Sequence, residues 1–230
     1  MTAMAERDSE TALVDLPERR SNRPVRFFHY IELALMRGLL GFFRLMSVDT
    51  ASALAGKFLR YVGPLIRPAS LRAERNIKKI HPDWSQDQIH NVIRDAWENL
   101  GRTSGEFAHH DKLGPSTGRV EIAGKEILDR VIANGRPVIF VTGHFANWEL
   151  FMPALTQCGV DYGFVYRAAN NPLTDELIIN HRAKTMSRHQ IPKGKRGGRI
   201  LVQSLSDGQS VVMLVDQKLN SGISVPFMGQ

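Results

Sequence analysis

His144 and Glu149 stand five residues apart in Gly143-His144-Phe145-Ala146-Asn147-Trp148-Glu149, directly after the β-branched run Val138-Ile139-Phe140-Val141-Thr142. A carboxylate that holds one imidazole nitrogen fixes the tautomer and raises the basicity of the ring. The second nitrogen is then free to take a proton from a hydroxyl. This is the chemistry of a general base without a protein nucleophile. The spacing alone is weak, since a glutamate in a first helical turn also serves as a cap beside an unrelated histidine. The position just past an apolar strand favours the chemical reading, because sites in parallel sheets gather where strands end.

Other reactive residue types carry less. Cys158, the one cysteine, sits at a helix end with no base nearby, and its solitude excludes a disulfide framework and a Cys-built zinc site. His81, His109 and His110 lack metal-ligand spacing, so no metal is expected. Lys193-Gly194-Lys195-Arg196-Gly197-Gly198-Arg199 is rich in glycine and cations but lacks Walker spacing and precedes a strand. It reads as a basic loop entering a helix, suited to sugar phosphates or an acidic protein, or simply solvated.

The elements that must position these residues fall into two groups. Residues 1–24 are polar and unpatterned and read as a flexible tail. Residues 25–118 are predicted helical. Residues 27–46 are apolar apart from His29, Glu32, Arg37 and Arg44, which share one side of a helix. That pattern suits either a helix lying in a membrane interface or a buried helix of an all-helical subdomain. Further helices are predicted from Asp49 to Val62, from Ala69 to Ile80, and from a Ser85/Gln88 capping box to His110. Gly114-Pro115-Ser116-Thr117-Gly118 is the linker candidate. Residues 119–230 alternate helices (124–133, 148–157, 173–187, 198–206) with strands (138–142, 162–166, 211–215), the first and last strand reading as buried. The pattern predicts an α/β domain with a mostly parallel sheet flanked by helices.

The 230 residues, 43% of them hydrophobic, suffice for a sizeable core. The composition excludes a disordered, collagen-like or coiled-coil chain. Net charge is +7, and residues 21–80 alone carry eleven basic against three acidic side chains. The basic excess therefore sits on the helical region and on the cluster at 188–199. Such a balance suggests an anionic partner, for which nucleic acid, anionic lipid and acidic protein all qualify. The cluster has no aromatic residue for stacking on bases, which argues against nucleic acid.

The block Pro137-Val138-Ile139-Phe140-Val141-Thr142-Gly143-His144-Phe145-Ala146-Asn147-Trp148-Glu149 resembles the first motif of the bacterial lipid A biosynthesis (late) acyltransferases, within the His-x4-Asp/Glu glycerolipid acyltransferase superfamily. The likeness continues in Val165-Tyr166-Arg167-Ala168-Ala169-Asn170-Asn171-Pro172-Leu173, in Gly208 to Lys218, and in Gly222 to Gly229. Asn76-Ile77, Pro82 and Trp97-Glu98-Asn99-Leu100-Gly101-Arg102 match upstream. It thus covers about residues 25–230. Ala168 and Met228 depart from the usual proline and phenylalanine.

The resemblance implies acyl transfer from an acyl-carrier-protein thioester, as co-substrate with no further cofactor, to a hydroxyl of an anionic lipid A precursor. It implies work at the cytoplasmic face of the inner membrane, with contact through residues 27–46. His144 would be the base and Glu149 its partner. The catalytic arginine falls on Arg182 and a later acid on Asp216, for which a salt bridge to Arg182 or Arg167 is the structural alternative. Arg167, Asn170, Lys193, Lys195, Arg196 and Arg199 are the expected substrate contacts. Family members continue past the Pro226-Phe227-Met228-Gly229 block, so the α/β domain is expected to be incomplete. Competing readings keep the chemistry on a lysophospholipid or phosphoinositide mannoside, or make the chain a non-catalytic basic module binding membrane or nucleic acid.

Overall fold

The computed structural model describes residues 24–217 and Pro226. Except for Pro24, the tail expected over 1–24 lies outside the described residues, as does the 222–229 block apart from Pro226.

Four helices come first: α1 (Phe27–Arg44), α2 (Val48–Val62), α3 (Arg67–Ile80) and α4 (Gln86–Phe107). Ser47 caps α2, and the Ser85/Gln88 capping box opens α4 as its spacing predicts. α2 and α4 approach closely because their facing positions are small. A Cβ on Gly101 would lie 2.3 Å from the Ala55 carbonyl oxygen, and one on Gly105 2.4 Å from that of Ala51. Beside this seam Phe43, Ala51, Ala55 and Ala108 form a small core. The Ser52 hydroxyl donates to Glu106 at 2.7 Å.

α1 is docked by its polar side. Asn171 donates to the Glu32 carboxylate at 2.7 Å and to the His29 carbonyl at 2.9 Å, and Arg44 forms a bidentate pair with Asp111. The opposite face, with Phe27, Phe28, Leu35, Leu39, Phe42 and Leu45, is exposed, and Phe43 is the one buried residue of the helix. Among the described residues this face is therefore not packed as the buried-helix reading expects. Among the described residues no helix is long and apolar enough to cross a membrane.

The second half alternates α5 (Lys125–Ala133), β1 (Ile139–Thr142), α6 (Phe151–Gln157), β2 (Tyr162–Tyr166), α7 (Pro172–Arg182), β3 (Gln190–Pro192), α8 (Lys195–Ser206) and β4 (Ser210–Leu214). All four strands are parallel, in the order β1-β4-β2-β3. The α/β class with a parallel sheet and flanking helices is as expected. Met152, Leu155, Tyr162, Phe164, Met186 and Val212 form its core.

Two expectations need correction, and one strand was not anticipated. β1 is an edge strand among the described residues rather than a buried one, with Ile139 48% and Val141 59% exposed. Its β-branched run reflects strand propensity, whereas the centre belongs to β4, whose Val211 and Val212 are fully buried. α7 stops at Arg182, short of Ser187, because the chain turns there to bury Met186. β3 had no signal: three residues including a glutamine and a proline lack any readable period.

Candidate active site

In an all-parallel sheet every strand delivers its following residue to one edge. His144 lies two residues past β1 and Asp216 two past β4, and the register pairs Thr142 with Leu214. Adjacent parallel strands thus bring two residues 72 positions apart into contact. Asp216 Oδ1 lies 2.7 Å from His144 Nδ1, and Oδ2 accepts from the His144 backbone N–H at 2.7 Å. Gly143 permits the approach, since a Cβ there would meet the Phe145 ring at 2.7 Å and Asp216 Oδ2 at 3.0 Å. The backbone and ring hydrogen bonds from His144 hold the Asp216 carboxyl below the usual carboxylate range, against the opposing effect of burial. With Nδ1–H donated to this carboxylate, a neutral ring leaves Nε2 as an acceptor. The Gln217 amide lies 3.0 Å from that nitrogen. The His144 ring also packs on Trp148, centroids 5.0 Å apart.

The His144–Glu149 pair expected from the five-residue spacing does not form. The turn after Asn147 carries Glu149 inward, where it is 5% exposed. There it grips Arg182 at the end of α7, accepting from Nε at 3.0 Å and from a terminal nitrogen. A buried carboxylate demands a charged partner, and Arg182 supplies it. The guanidinium is also flanked by Phe107 and Phe164, each 6.0 Å from its carbon to ring centroid. Asp216, for which Arg182 or Arg167 was the expected structural partner, instead occupies the place beside His144 that spacing had given Glu149. The site therefore contains two acid–base pairs: His144 with Asp216, and Arg182 with Glu149.

Arg167 follows β2, and Lys193 follows β3 with its N–H bonded to the Tyr166 carbonyl at 2.8 Å. Both occupy the same sheet edge as His144 and are exposed. Three strand spacings of ~4.8 Å put Lys193 about 14 Å from His144 along that edge. Lys195, Arg196 and Arg199 are exposed on the first turns of α8, and Asn170 is exposed just ahead of α7. The expected contacts thus share a face with the site but not its immediate chemistry.

An apolar groove of about 600 Å³ opens beside His144, lined by α5 (Ile127, Leu128, Val131), Phe140, Phe151 and Ala154, with Gly143, Phe145 and Asn147 at the site end. Sequence reasoning missed this groove. It also missed Gln217, which appeared only as part of a longer block, and the α4 side chains Asn99, Thr103 and Glu106 that grip the loop after His144. The i, i+4, i+7 spacing of those three was the readable signal. Among the described residues no group of three or more His, Cys, Asp or Glu is placed to hold a metal.

Two comparisons bear on this geometry. The family model described as bacterial lipid A biosynthesis acyltransferase matches residues 19–230. A curated protein of Shigella flexneri, lipid A biosynthesis acyltransferase 2, is 26% identical over 208 residues, covering 88% of this chain and 64% of its own length. The chain thus spans less than two thirds of the relative it matches.

Proposed function

The chain belongs to the bacterial lipid A biosynthesis acyltransferase family, and from that premise we propose that it moves a fatty acyl group from an acyl-carrier-protein thioester to a hydroxyl of a lipid A precursor. The observation that carries this reading is the His144–Asp216 pair beside the Gly143 end of an apolar groove, with the Arg182–Glu149 pair anchored five residues further along the same loop. The groove takes the acyl chain and keeps its thioester at the site end, beside Gly143. The acceptor hydroxyl displaces the Gln217 amide from His144 Nε2. As its oxygen attacks the thioester carbonyl, Nε2 takes the hydroxyl proton, and Asp216 stabilises the imidazolium that forms. The carbonyl oxygen gains negative charge in the tetrahedral intermediate, which the Arg182 guanidinium balances. The carbon–sulfur bond then breaks, and the departing thiolate recovers the proton from the imidazolium. Thioester and alcohol give ester and thiol, with no cofactor required.

Glu149 acts in this scheme by fixing Arg182 rather than by touching the base. Arg167, Asn170, Lys193, Lys195, Arg196 and Arg199 offer the sheet edge and α8 to anionic groups of the glycolipid or to the acidic carrier. The exposed apolar face of α1 rests in the bilayer interface, at the cytoplasmic face of the inner membrane where lipid acceptor and soluble carrier meet. Nucleic acid is not a partner in this reading. The test is mass spectrometry of products from the full chain with acyl-carrier protein and either a lipid A precursor or a lysophospholipid. Ester formed on the lipid A precursor and lost in His144→Ala is the expected result. Preference for the lysophospholipid reassigns the acceptor, and undiminished activity of His144→Ala removes the base.

A further inference from the structure

The loop between His144 and Glu149 contains a backbone feature that the proposed chemistry has not used. Ala146 adopts a φ of 43°, the left-handed region that a residue with a Cβ enters only when its surroundings hold it there. What holds it is one face of α4. Asn99 Nδ2 donates to the Ala146 carbonyl at 3.0 Å, and the Thr103 hydroxyl donates to the same oxygen at 3.3 Å. One turn further on, Glu106 accepts from the Asn147 side chain at 2.5 Å. Thr103 is buried, and Glu106 is itself fixed by Ser52 of α2. A helix remote in sequence therefore sets the orientation of a single peptide unit, the one joining Ala146 to Asn147.

The peptide is planar and no cis bond occurs in the described chain, so carbonyl and N–H point in opposite directions. With the Ala146 oxygen drawn toward α4, the Asn147 N–H is turned away from it. That N–H has no acceptor among the described residues. Asn147 also lines the apolar groove at its site end, together with Gly143 and Phe145. A preoriented backbone donor at the end of a groove built for a hydrocarbon chain is what a developing oxyanion requires.

We propose that Asn99 and Thr103 are positioning residues that hold the Ala146–Asn147 peptide so that the Asn147 N–H serves, beside Arg182, as a donor to the oxyanion of the acyl-transfer intermediate. This rests on the function proposed above and deepens it. The donor acts after the acceptor hydroxyl has attacked, so it changes the turnover step and not substrate affinity. Asn99 and Thr103 bond the Ala146 carbonyl and neither His144 nor Asp216, so their removal leaves the His144–Asp216 contact in place.

Steady-state kinetics of the full chain in mixed micelles, with an acyl-carrier-protein thioester and the lipid acceptor, test this. Asn99→Ala/Thr103→Val is expected to lower kcat about ten- to a hundred-fold, less than the ~10²–10³ of a donor removed outright. KM for both substrates and the midpoint of the pH–rate profile stay at their wild-type values. Thr103→Ser, which keeps the hydroxyl, recovers the rate lost in Thr103→Val. A wild-type kcat in the folded double variant overturns the proposal, as does a loss carried in KM or accompanied by a shifted pH midpoint. Should the double variant fail to fold, Asn99→Asp carries the test. It keeps the shape but turns an oxygen toward the Ala146 carbonyl, and the same isolated loss in kcat is expected. An active His144→Ala would strike the base assignment instead, so the two failures are distinguishable.

Discussion

Glu149 and Arg182 form a bidentate ion pair in which the carboxylate is buried and the guanidinium nearly so, their side chains being 6% and 17% exposed. The pair joins the turn after β1 to the end of α7 and makes each charge tolerable to the other. Removing one member of such a pair leaves a buried charge alone, which costs about 3–5 kcal/mol. Glu149→Gln and Arg182→Met are each expected to destabilise the protein by that order in denaturant unfolding. The double variant should recover part of the loss, with a coupling energy above about 1 kcal/mol. Additive losses would show that the two residues act independently.

Asp216 is the partner of His144, the proposed base, and its substitution separates the two carboxylates. Asp216→Asn removes the charge that stabilises the imidazolium in the proposed reaction while keeping the size of the side chain. A general base contributes ~10²–10⁴ to rate, and kcat of this variant should fall by at least about tenfold. Because Asp216 is exposed at the sheet edge, thermal unfolding should shift little. Glu149→Gln should show the reverse balance in stability.

His110 gives the fold an acid limit. Burial pushes its imidazole down to about 4 from 6.5, the Arg182 and His181 charges adding to the effect and Glu149 and Asp111 opposing it. The unfolded chain therefore binds this proton first as pH falls. Stability is full above about pH 6.5 and declines between pH 6.5 and 4, by roughly 3 kcal/mol at most. Urea unfolding at a series of pH values should show this slope, and His110→Leu should flatten it.

The apolar face of α1 should bind lipid. Replacing Phe27, Phe28 and Leu35 by serine removes exposed apolar surface without touching the Glu32–Asn171 or Arg44–Asp111 contacts. Co-sedimentation with vesicles containing anionic phospholipid should fall at least about tenfold, since burying one such side chain is worth ~1.5–3 kcal/mol. Equal binding by wild type and variant would assign the face to something other than a bilayer.

Much of the fold was legible because its helices carry local signals. The Ser85/Gln88 box, the Asn134-Gly135 stop and the apolar runs at β2 and β4 each act over a few residues. The pairing within the site was not legible. His144 meets Asp216 through the register of β1 on β4, and no local spacing encodes which of two distant strands lie side by side. Glu149, the obvious partner by proximity, was taken by Arg182 because a turn buried it. The exposure of β1 escaped notice for a related reason: propensity reports strand, and neighbours decide burial.

The polar docking of α1 has a consequence for how tightly that helix is held. Hydrogen bonds and ion pairs that compete with water gain strength when water is withdrawn and the local dielectric falls. The Asn171–Glu32 and Arg44–Asp111 contacts are of that kind. A hydrophobic seam would loosen on entering lipid, where the solvent no longer drives it together. Were the outer face of α1 to enter a bilayer as proposed, the polar contacts would tighten while the small packing around Phe43 would not, so Glu32 and Arg44 would carry the hold on the helix.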